Sequence, residues 1–279
     1  METVALFGAA GKIGTRISEK LRNAPGIRTL YLEKGEAGTA RLRERGLPPT
    51  PETQALAQAD TVVLAIPDTL IGTVAHSIVP RLNPGTLVML LDPAAPHGGE
   101  LPEREDIAYF VVHPCHPPIV NDETTPEARA DFFGGVARQA IVCALMQGSE
   151  EDYAKGERIA RLMFAPILRA HRITVEQMAI LEPAMAETVI LTCMAVIKEA
   201  IDEAVVRGVP VGVAYDFALG HMRVNLGILF HYIDAQVSEG AKLAVARAKD
   251  QIFHPDWKQV YEPDNVKAQV EAIVKGRQR

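Results

Sequence analysis

The feature that most constrains the fold is a glycine-rich segment close to the N-terminus. The sequence GAAGKIG, residues 8–14, joins an apolar run at 3–7 to an amphipathic stretch at 12–23. Glycines let the backbone turn sharply and approach a pyrophosphate, and the following helix offers free N–H groups at its start. The motif predicts a dinucleotide site; the alternative is a tight turn without a ligand. The predicted cofactor contacts are Gly8, Ala9, Ala10, Gly11, Lys12, Ile13 and Gly14.

An acidic residue supports the dinucleotide interpretation. Glu33 ends the second predicted strand, nineteen residues after Gly14. A carboxylate there accepts hydrogen bonds from ribose hydroxyls and repels a 2′-phosphate, so NAD is favoured over NADP, although the adjacent Lys34 weakens that preference. Residues 66–68 end a later strand and are predicted to pass along the cofactor, with a plain strand-ending turn as the alternative for the last of them. These residues are Ile66, Pro67 and Asp68.

The first half of the chain alternates apolar strand-like runs with helical stretches, which predicts βαβ units and a parallel sheet. The second half carries helical periodicity at 151–170, 174–207, 210–235, 237–250 and 264–276. We therefore predict an α/β fold, with an N-terminal Rossmann doubly wound parallel sheet and an all-α C-terminal domain. The NAD-binding domain covers 1–150, its last strand is 139–145, and the helical substrate and dimerisation domain covers 151–279.

Composition excludes several classes of protein. The net charge is −6, and the basic residues form no cluster of the kind that nucleic-acid binding requires. Three cysteines without CxxC spacing indicate reduced thiols in a cytoplasmic protein. The N-terminus shows no secretory leader, and the longest apolar run within a helix, 189–197, falls short of the ~20 residues of a membrane span. We expect a cytoplasmic protein that binds neither nucleic acid nor membrane.

Polar loops follow two of the predicted strands. One is residues 92–99, which includes His97, and the other is HPCHPP at 113–118. Prolines restrict the second loop, so His113 and His116 are candidates for metal ligation or proton transfer; loop histidines with purely structural hydrogen bonds are the alternative. Cys115 is interpreted as a buried bystander thiol, with a metal ligand or a nucleophile as the alternative.

Two glutamates interrupt an otherwise apolar helical stretch, 178–197. Buried carboxylates are costly unless they are paired or bound to a metal. We therefore predict a divalent metal site formed by His116 with Glu187 or Glu182; an exposed glutamate is the alternative for either. Further along the chain, His221 and Arg223 follow a helical glycine and are predicted to contact an anionic or hydroxylated substrate, unless this glycine serves only helix packing.

Four motifs together resemble one enzyme family. GAAGKIG, the AIPD strand end at 65–68, HPCHPP and the Gly-His pair at 220–221 are similar to the D-apionate oxidoisomerase group. That group is related to 6-phosphogluconate-dehydrogenase-like and β-hydroxyacid-dehydrogenase-like proteins. The β-hydroxyacid dehydrogenases use a lysine near the start of the long helix, but here no lysine occurs until Lys198. A metal-assisted mechanism fits these side chains better than a lysine mechanism.

The resemblance implies an NAD-dependent enzyme of sugar-acid catabolism. It implies oxidation of the C2 hydroxyl of apionate, followed by migration of a hydroxymethyl group in an α-ketol rearrangement to 3-oxo-isoapionate. The divalent metal could be Zn²⁺, Mg²⁺, Mn²⁺ or Ca²⁺, and the apolar helices suggest a homodimer. Two alternatives stay open: a simple 3-hydroxyacid or 6-phosphogluconate-type dehydrogenase, and a non-catalytic NAD-binding sensor.

Overall fold

The computed structural model describes residues 1–276, which contain one seven-stranded sheet. Its strands follow the order β2-β1-β3-β4-β5-β6-β7. They are β1 (Glu2–Phe7), β2 (Ile27–Leu32), β3 (Thr61–Leu64), β4 (Leu87–Leu90), β5 (Ala108–Pro114), β6 (Gln139–Gln147) and β7 (Ile167–Arg172). The first five strands are mutually parallel, as expected for a Rossmann sheet.

Several of the helices named here pack on the two faces of this sheet. The helices are α1 (Lys12–Leu21), α2 (Glu36–Glu44), α3 (Glu52–Gln58), α4 (Asp68–Ile78), α5 (Ala94–His97), α6 (Pro126–Arg129), α7 (Glu150–Met163), α8 (Val175–Ala179), α9 (Thr192–Val206), α10 (Val211–Leu229), α11 (Glu239–Ile252) and α12 (Pro263–Lys275). Alternate residues of each strand enter separate cores: Leu6 packs in one with α1 and α7, and Phe7 packs in the other with α3 and α4. Burial on both faces explains why the strands read as continuous apolar runs.

The last two strands differ from the predicted parallel arrangement. β6 runs antiparallel to β5, and β7 pairs in parallel with β6. The prediction that 139–145 is the last strand was wrong, because β7 follows it and begins inside the segment 151–170 that was predicted as helix. β7 is an edge strand, and none of its six residues is fully buried. Four of the six are arginine, histidine or alanine. Its sequence, ILRAHR, therefore lacks the apolar run that revealed the inner strands.

The chain divides into two compact units. Unit 1 contains Met1–Pro183 and the C-terminal segment from Lys267, and unit 2 is Ala184–Val266. The predicted boundary near residue 150 falls inside unit 1, because α7 packs on the sheet and β7 extends it. Unit 2 is helical, and α9 and α10 are neighbours within it.

One helix runs from Val175 to Val206 as α8, a π-helical segment and α9. It is long and apolar enough to cross a membrane by length and composition, with a mean hydropathy of 1.7 over its most apolar window, 11% of which is buried. The nine-residue apolar run counted from the sequence underestimates it, since the helix continues through Glu182 and Glu187.

Candidate active site

The glycine loop at the end of β1 has a backbone that excludes side chains at two positions. Gly8 has a φ of 73°, and a Cβ there would overlap the carbonyl oxygen of Ala65. A Cβ at Gly14 would overlap the carbonyl oxygen of Gly8, so the first turn of α1 packs directly against the loop. These are the two reasons for which the motif requires glycine: a left-handed turn and a close backbone approach.

The start of α1 is a suitable site for an anion. Gly11 is the N-cap residue, offers no side-chain cap, and is followed by a first turn without an acidic residue. The Gly11 N–H itself donates to the Gly8 carbonyl at 2.9 Å, which closes the loop beneath the helix. The first N–H groups of a helix have no intrahelical partner, so those after Gly11 can donate to a phosphate.

Glu33 lies beside the same loop. Its Oε2 accepts a hydrogen bond from the Ala10 N–H at 2.8 Å, and its Oε1 accepts one from the Lys34 N–H at 3.1 Å. Arg45 contacts the first two turns of α1, donating to Ser18 Oγ at 2.8 Å and to the Thr15 carbonyl at 3.2 Å. The carboxylate is therefore held next to the glycine loop, at the edge where a ribose would follow the pyrophosphate.

Residues 66–68 follow β3 and begin α4. Asp68 is the first residue of that helix, and its carboxyl group is partly buried near Asp92. Burial, reinforced by the charge of Asp92, raises the pKa of Asp68 to about 6. An acidic group with this pKa lies at the carboxyl ends of the parallel strands.

A cluster of three metal-binding side chains lies at the same edge of the sheet. Asp92 follows β4, His113 ends β5, and Glu182 belongs to the π-helical segment after α8. Each offers a ligand atom, and these atoms all lie within 4.8 Å of one another. Their side chains are only 19–23% exposed. Among the described residues, no other group of three such side chains has this spacing.

Main-chain hydrogen bonds fix the orientation of the cluster. The Nδ1 of His113 is 2.8 Å from the Leu91 carbonyl, which only accepts, so Nδ1 carries the proton. In the neutral ring Nε2 then presents a lone pair, 3.3 Å from Glu182 Oε2. Asp92 accepts from the Ala94 N–H at 2.8 Å through Oδ1, while its Oδ2 lies 3.8 Å from His113 Nδ1.

This arrangement brings together electron pairs that need a cation. The lone pair of His113 Nε2 and the carboxylate of Glu182 repel each other unless a proton or a metal ion lies between them. Burial raises the pKa of Asp92, and the charge of Glu182 raises it further, while the Ala94 N–H and His113 lower it. One imidazole and two carboxylates form a known type of divalent metal site, with positions left open for substrate.

His116 lies in the next loop with a separate set of contacts. Its φ of 60° is unusual for a residue with a side chain. Its Nδ1 is 3.1 Å from the Phe133 carbonyl, and its ring centre is 6.5 Å from that of His113, edge to face. The neighbouring Cys115 is an exposed residue, so the burial expected for it was wrong. Partial desolvation of its thiol, and then the charge of Glu182, raise the pKa of Cys115.

The predicted site residues fall into two groups. In unit 1, Glu182 lies beside His113, as members of one cluster. The third member is Asp92, which the sequence analysis placed in a polar loop but did not predict as a ligand. His116 is a neighbour of His113 and not a member of the three-residue cluster. The remaining candidates, which belong to unit 2, are Glu187, His221 and Arg223. The His221 ring stacks on Phe217 with ring centres 4.0 Å apart, and its Nδ1 donates to the Phe217 carbonyl at 2.8 Å.

The helix geometry around Glu182 explains why the sequence does not show which side chains share one face of this helix. Pro183 lies inside the π-helical segment Ile180–Leu191, instead of starting a new helix. Proline has no N–H and disrupts an α-helix, and the wider π turn accommodates it without ending the helix. The two glutamates of this segment, five residues apart, therefore cannot be assigned to helix faces by α-helical spacing.

Comparison with known proteins places the chain in a family. A protein named D-apionate oxidoisomerase from Rhizobium rhizogenes is 47% identical over 98% of this chain and 100% of its own length. The chain belongs to the D-apionate oxidoisomerase family. Residues 121–274 also match the family model for the C-terminal region of decarboxylating phosphogluconate dehydrogenase. The resemblance inferred from the four motifs is thus confirmed.

Solved structures agree with this assignment. One protein with the same fold is a semialdehyde dehydrogenase NAD-binding protein from Cupriavidus necator, whose crystal structure is a complex with calcium and NAD. That protein is 46% identical, with a TM-score of 0.95 over 98% of this chain and 99% of its own. An NADH-preferring ketol-acid reductoisomerase from an uncultured archaeon shares the fold at 18% identity, with a TM-score of 0.69 over 99% of this chain and 82% of its own. The predicted Rossmann fold with a helical C-terminal part is confirmed.

Proposed function

We propose that this chain is an NAD-dependent oxidoisomerase that converts D-apionate to 3-oxo-isoapionate with a divalent metal. The Asp92–His113–Glu182 cluster carries the proposal, since it lies at the same sheet edge as the glycine loop. Relatives named for this activity match nearly the whole chain, and a crystallised relative binds NAD and calcium. A metal cluster beside a dinucleotide site suits oxidation followed by rearrangement.

The residues present fit NAD. Gly8 and Gly14 have no room for side chains, the start of α1 has no side-chain cap, and Glu33 is fixed at the loop. Lys12 and Ile13 provide N–H groups of the first turn, while Pro67 and Asp68 extend the crevice from the end of β3. The carboxylate of Glu33 would accept the ribose hydroxyls and would repel the extra phosphate of NADP.

The residues present also fit a divalent metal ion. His113 and Glu182 face each other with electron pairs that a cation would join, and Asp92 completes a set of three ligands. Zn²⁺, Mg²⁺, Mn²⁺ and Ca²⁺ all accept mixed carboxylate and imidazole sites, although calcium prefers oxygen ligands. When bound, NAD supplies a hydride acceptor and the metal supplies Lewis-acid polarisation of the substrate oxygens.

The overall chemistry balances in two steps. Oxidation removes a hydride from C2 of the substrate and a proton from its hydroxyl group. A hydroxymethyl group then moves from C3 to C2 with its bonding pair, the C3 hydroxyl loses its proton as C3 becomes the new ketone, and the C2 oxygen takes up a proton to become a hydroxyl group. Both proton losses need a base near the substrate, and we assign this role to the unprotonated Nε2 of His116, because its Nδ1–H donates to Phe133.

The remaining predicted site residues enter as substrate contacts. We propose that Glu187, His221 and Arg223 of unit 2 contact the substrate, with Arg223 supplying positive charge for the carboxylate. Arginine pairs with a carboxylate through two parallel hydrogen bonds, which fixes orientation as well as charge. An enzyme with a net charge of −6 needs such local positive charge to bind an anionic substrate.

We further propose that the chain functions in the cytoplasm as a homodimer built through unit 2. Unit 2 exposes many large apolar side chains, including Phe217 at 66%, Leu219 at 56% and Leu229 at 65%. The long helix also carries Glu182 and Glu187, and ionised carboxylates are costly in a bilayer. A second copy of the chain is therefore a better cover for this surface than lipid, and two-fold dimers are the commonest oligomers.

The test is turnover with product analysis. Purified protein is incubated with NAD and D-apionate, formation of NADH is followed by absorbance, and NMR identifies the carbon skeleton. EDTA should abolish turnover and added Mn²⁺ or Ca²⁺ should restore it. The variant His113→Ala should lose activity, whereas His76→Ala, at an exposed position of α4, should retain it.

Other products would overturn the proposal. NADH with an unshifted ketone, or with a decarboxylated product, would indicate a simple hydroxyacid or 6-phosphogluconate-type dehydrogenase. NAD binding without turnover of any sugar acid would indicate a sensor. Full activity in EDTA would exclude the metal role of Asp92, His113 and Glu182.

A further inference from the structure

The loop between β5 and β6 is organised around one carboxylate. Asp131 accepts hydrogen bonds from the N–H groups of Phe133 at 3.1 Å and Gly134 at 2.9 Å through Oδ1, and from Val136 at 2.9 Å and Ala137 at 3.0 Å through Oδ2. Burial would raise the pKa of Asp131, but these four donors lower it overall. The loop therefore has a defined conformation although it lies at the surface.

This loop presents the ring of Phe133 to α1. The guanidinium carbon of Arg16 lies 4.3 Å from the ring centre and Lys12 Nζ lies 5.7 Å from it. Both distances are in the range of cation–π attraction. One helical turn further along α1, Lys20 Nζ donates to the Gly135 carbonyl at 2.7 Å. The helix that begins at the dinucleotide loop is thus attached to this loop by three basic side chains.

Phe133 also contacts His116. The two rings meet edge to face with centres 5.9 Å apart, and the Phe133 carbonyl accepts the His116 Nδ1–H at 3.1 Å. His116 is in the left-handed region, with a φ of 60°. A residue with a side chain keeps such a backbone only where surrounding contacts hold it. Phe133 supplies two of those contacts, one from its main chain and one from its ring.

We propose that Phe133 is a positioning residue that ties His116 to α1, so that the dinucleotide helix and the catalytic loop keep a fixed relation. The proposal rests on the function proposed above, in which His116 Nε2 accepts a proton. Phe133 itself reaches His116 through its ring and carbonyl, and Arg16 holds the ring from the other element. Removing the ring releases His116 from α1 and leaves the glycine loop intact.

Adjacent phenylalanines provide a matched pair of variants. Phe132 is 82% exposed, whereas Phe133 is 51% exposed and packed between Arg16 and His116. We expect Phe133→Ala to lower kcat by about 10- to 100-fold, as small displacements of catalytic groups do. The dissociation constant for NAD should stay unchanged. Phe132→Ala should keep kcat, and Phe133→Tyr, which preserves the ring, should restore most of it.

A spectroscopic readout tests the proposal independently of turnover. Long-range ¹H–¹⁵N NMR of histidine-labelled protein, with diamagnetic Ca²⁺ present, reports which ring nitrogen of His116 carries the proton. We expect the Nδ1–H form in the unmodified protein and in Phe132→Ala, and a mixture of the two tautomers in Phe133→Ala. If D-apionate proves not to be the substrate, this signal still decides whether Phe133 orders His116.

Three results would overturn the proposal. The first is an unchanged kcat and tautomer in Phe133→Ala. The second is equal effects in Phe132→Ala and Phe133→Ala. The third is a loss in Phe133→Ala that Phe133→Tyr does not restore and that accompanies a comparable loss of NAD affinity, because this would indicate general damage to α1.

Discussion

Replacing Asp92 with asparagine should stabilise the metal-free protein and weaken its response to metal. The ligand atoms of Asp92 and Glu182 lie at most 4.8 Å apart. Two unit charges at ~4.8 Å repel each other by about 3.5 kcal/mol at an effective dielectric constant of 20. Asparagine keeps the oxygen that accepts from the Ala94 N–H and removes the charge. The repulsion in the metal-free state should therefore largely disappear.

Thermal unfolding measures both effects. At about pH 8, where carboxylates are ionised, we expect the metal-free Asp92→Asn variant to melt higher than the unmodified protein, by about 2–4 °C for each kcal/mol gained. A metal at 100 times its dissociation constant should stabilise the unmodified protein by about 2.7 kcal/mol. The variant should gain less than this at the same metal concentration, because one of its three ligands has lost its charge.

The control is Glu105→Gln, which removes one carboxylate at an exposed position of the turn before β5. It should change neither the melting temperature of the metal-free protein nor the increase produced by metal. The reasoning is refuted if Asp92→Asn melts lower than the unmodified protein without metal. It is also refuted if the metal-induced increase is the same in both proteins.

Three further predictions concern the cofactor, an acidic group and the dimer. Glu33→Gln should weaken NAD binding and reduce the preference for NAD over NADP, measured by titration with each; an unchanged ratio would contradict this. The pKa of Asp68 is raised to about 6 in the folded protein, so stability should fall as pH rises from about 4 to about 6. Asp68→Asn should remove part of this slope in denaturant titrations without metal, and an unaltered slope would exclude Asp68 as its source. Leu219→Asp should shift the protein from dimer to monomer in analytical ultracentrifugation, and a dimer that persists would move the interface elsewhere.

The glycine loop could be predicted in detail because its determinants are local. Gly14 is required by a contact within one strand–loop–helix unit, Gly8 also has a positive φ, and Glu33 comes from the next strand. The inner strands could be predicted equally well, since strands that are buried on both faces have continuous apolar runs. Most of the residues in this half of the site lie between Gly8 and Glu33, and the others, 65–68, follow β3.

The metal cluster was only partly predictable because its members come from distant segments. Asp92, His113 and Glu182 meet through the order of the strands and the packing of α8, which a single sequence does not reveal. Glu182 and the polar loops stood out as chemically unusual, but which histidine would face the glutamate depended on ring orientation. Edge strand β7 escaped prediction for a different reason, because its exposed polar residues resemble those of a helix.

The two central histidines share a dependence on main-chain carbonyl groups. The acceptors are the carbonyl oxygens of Leu91 and Phe133, and no amino-acid substitution removes a backbone carbonyl. A saturation mutagenesis screen would therefore find no side chain whose removal deletes the hydrogen-bond acceptor of either histidine. The tautomer of each ring depends on the path of the backbone, so sequence drift should change it only where a substitution moves a loop, as Phe133→Ala is expected to do for His116.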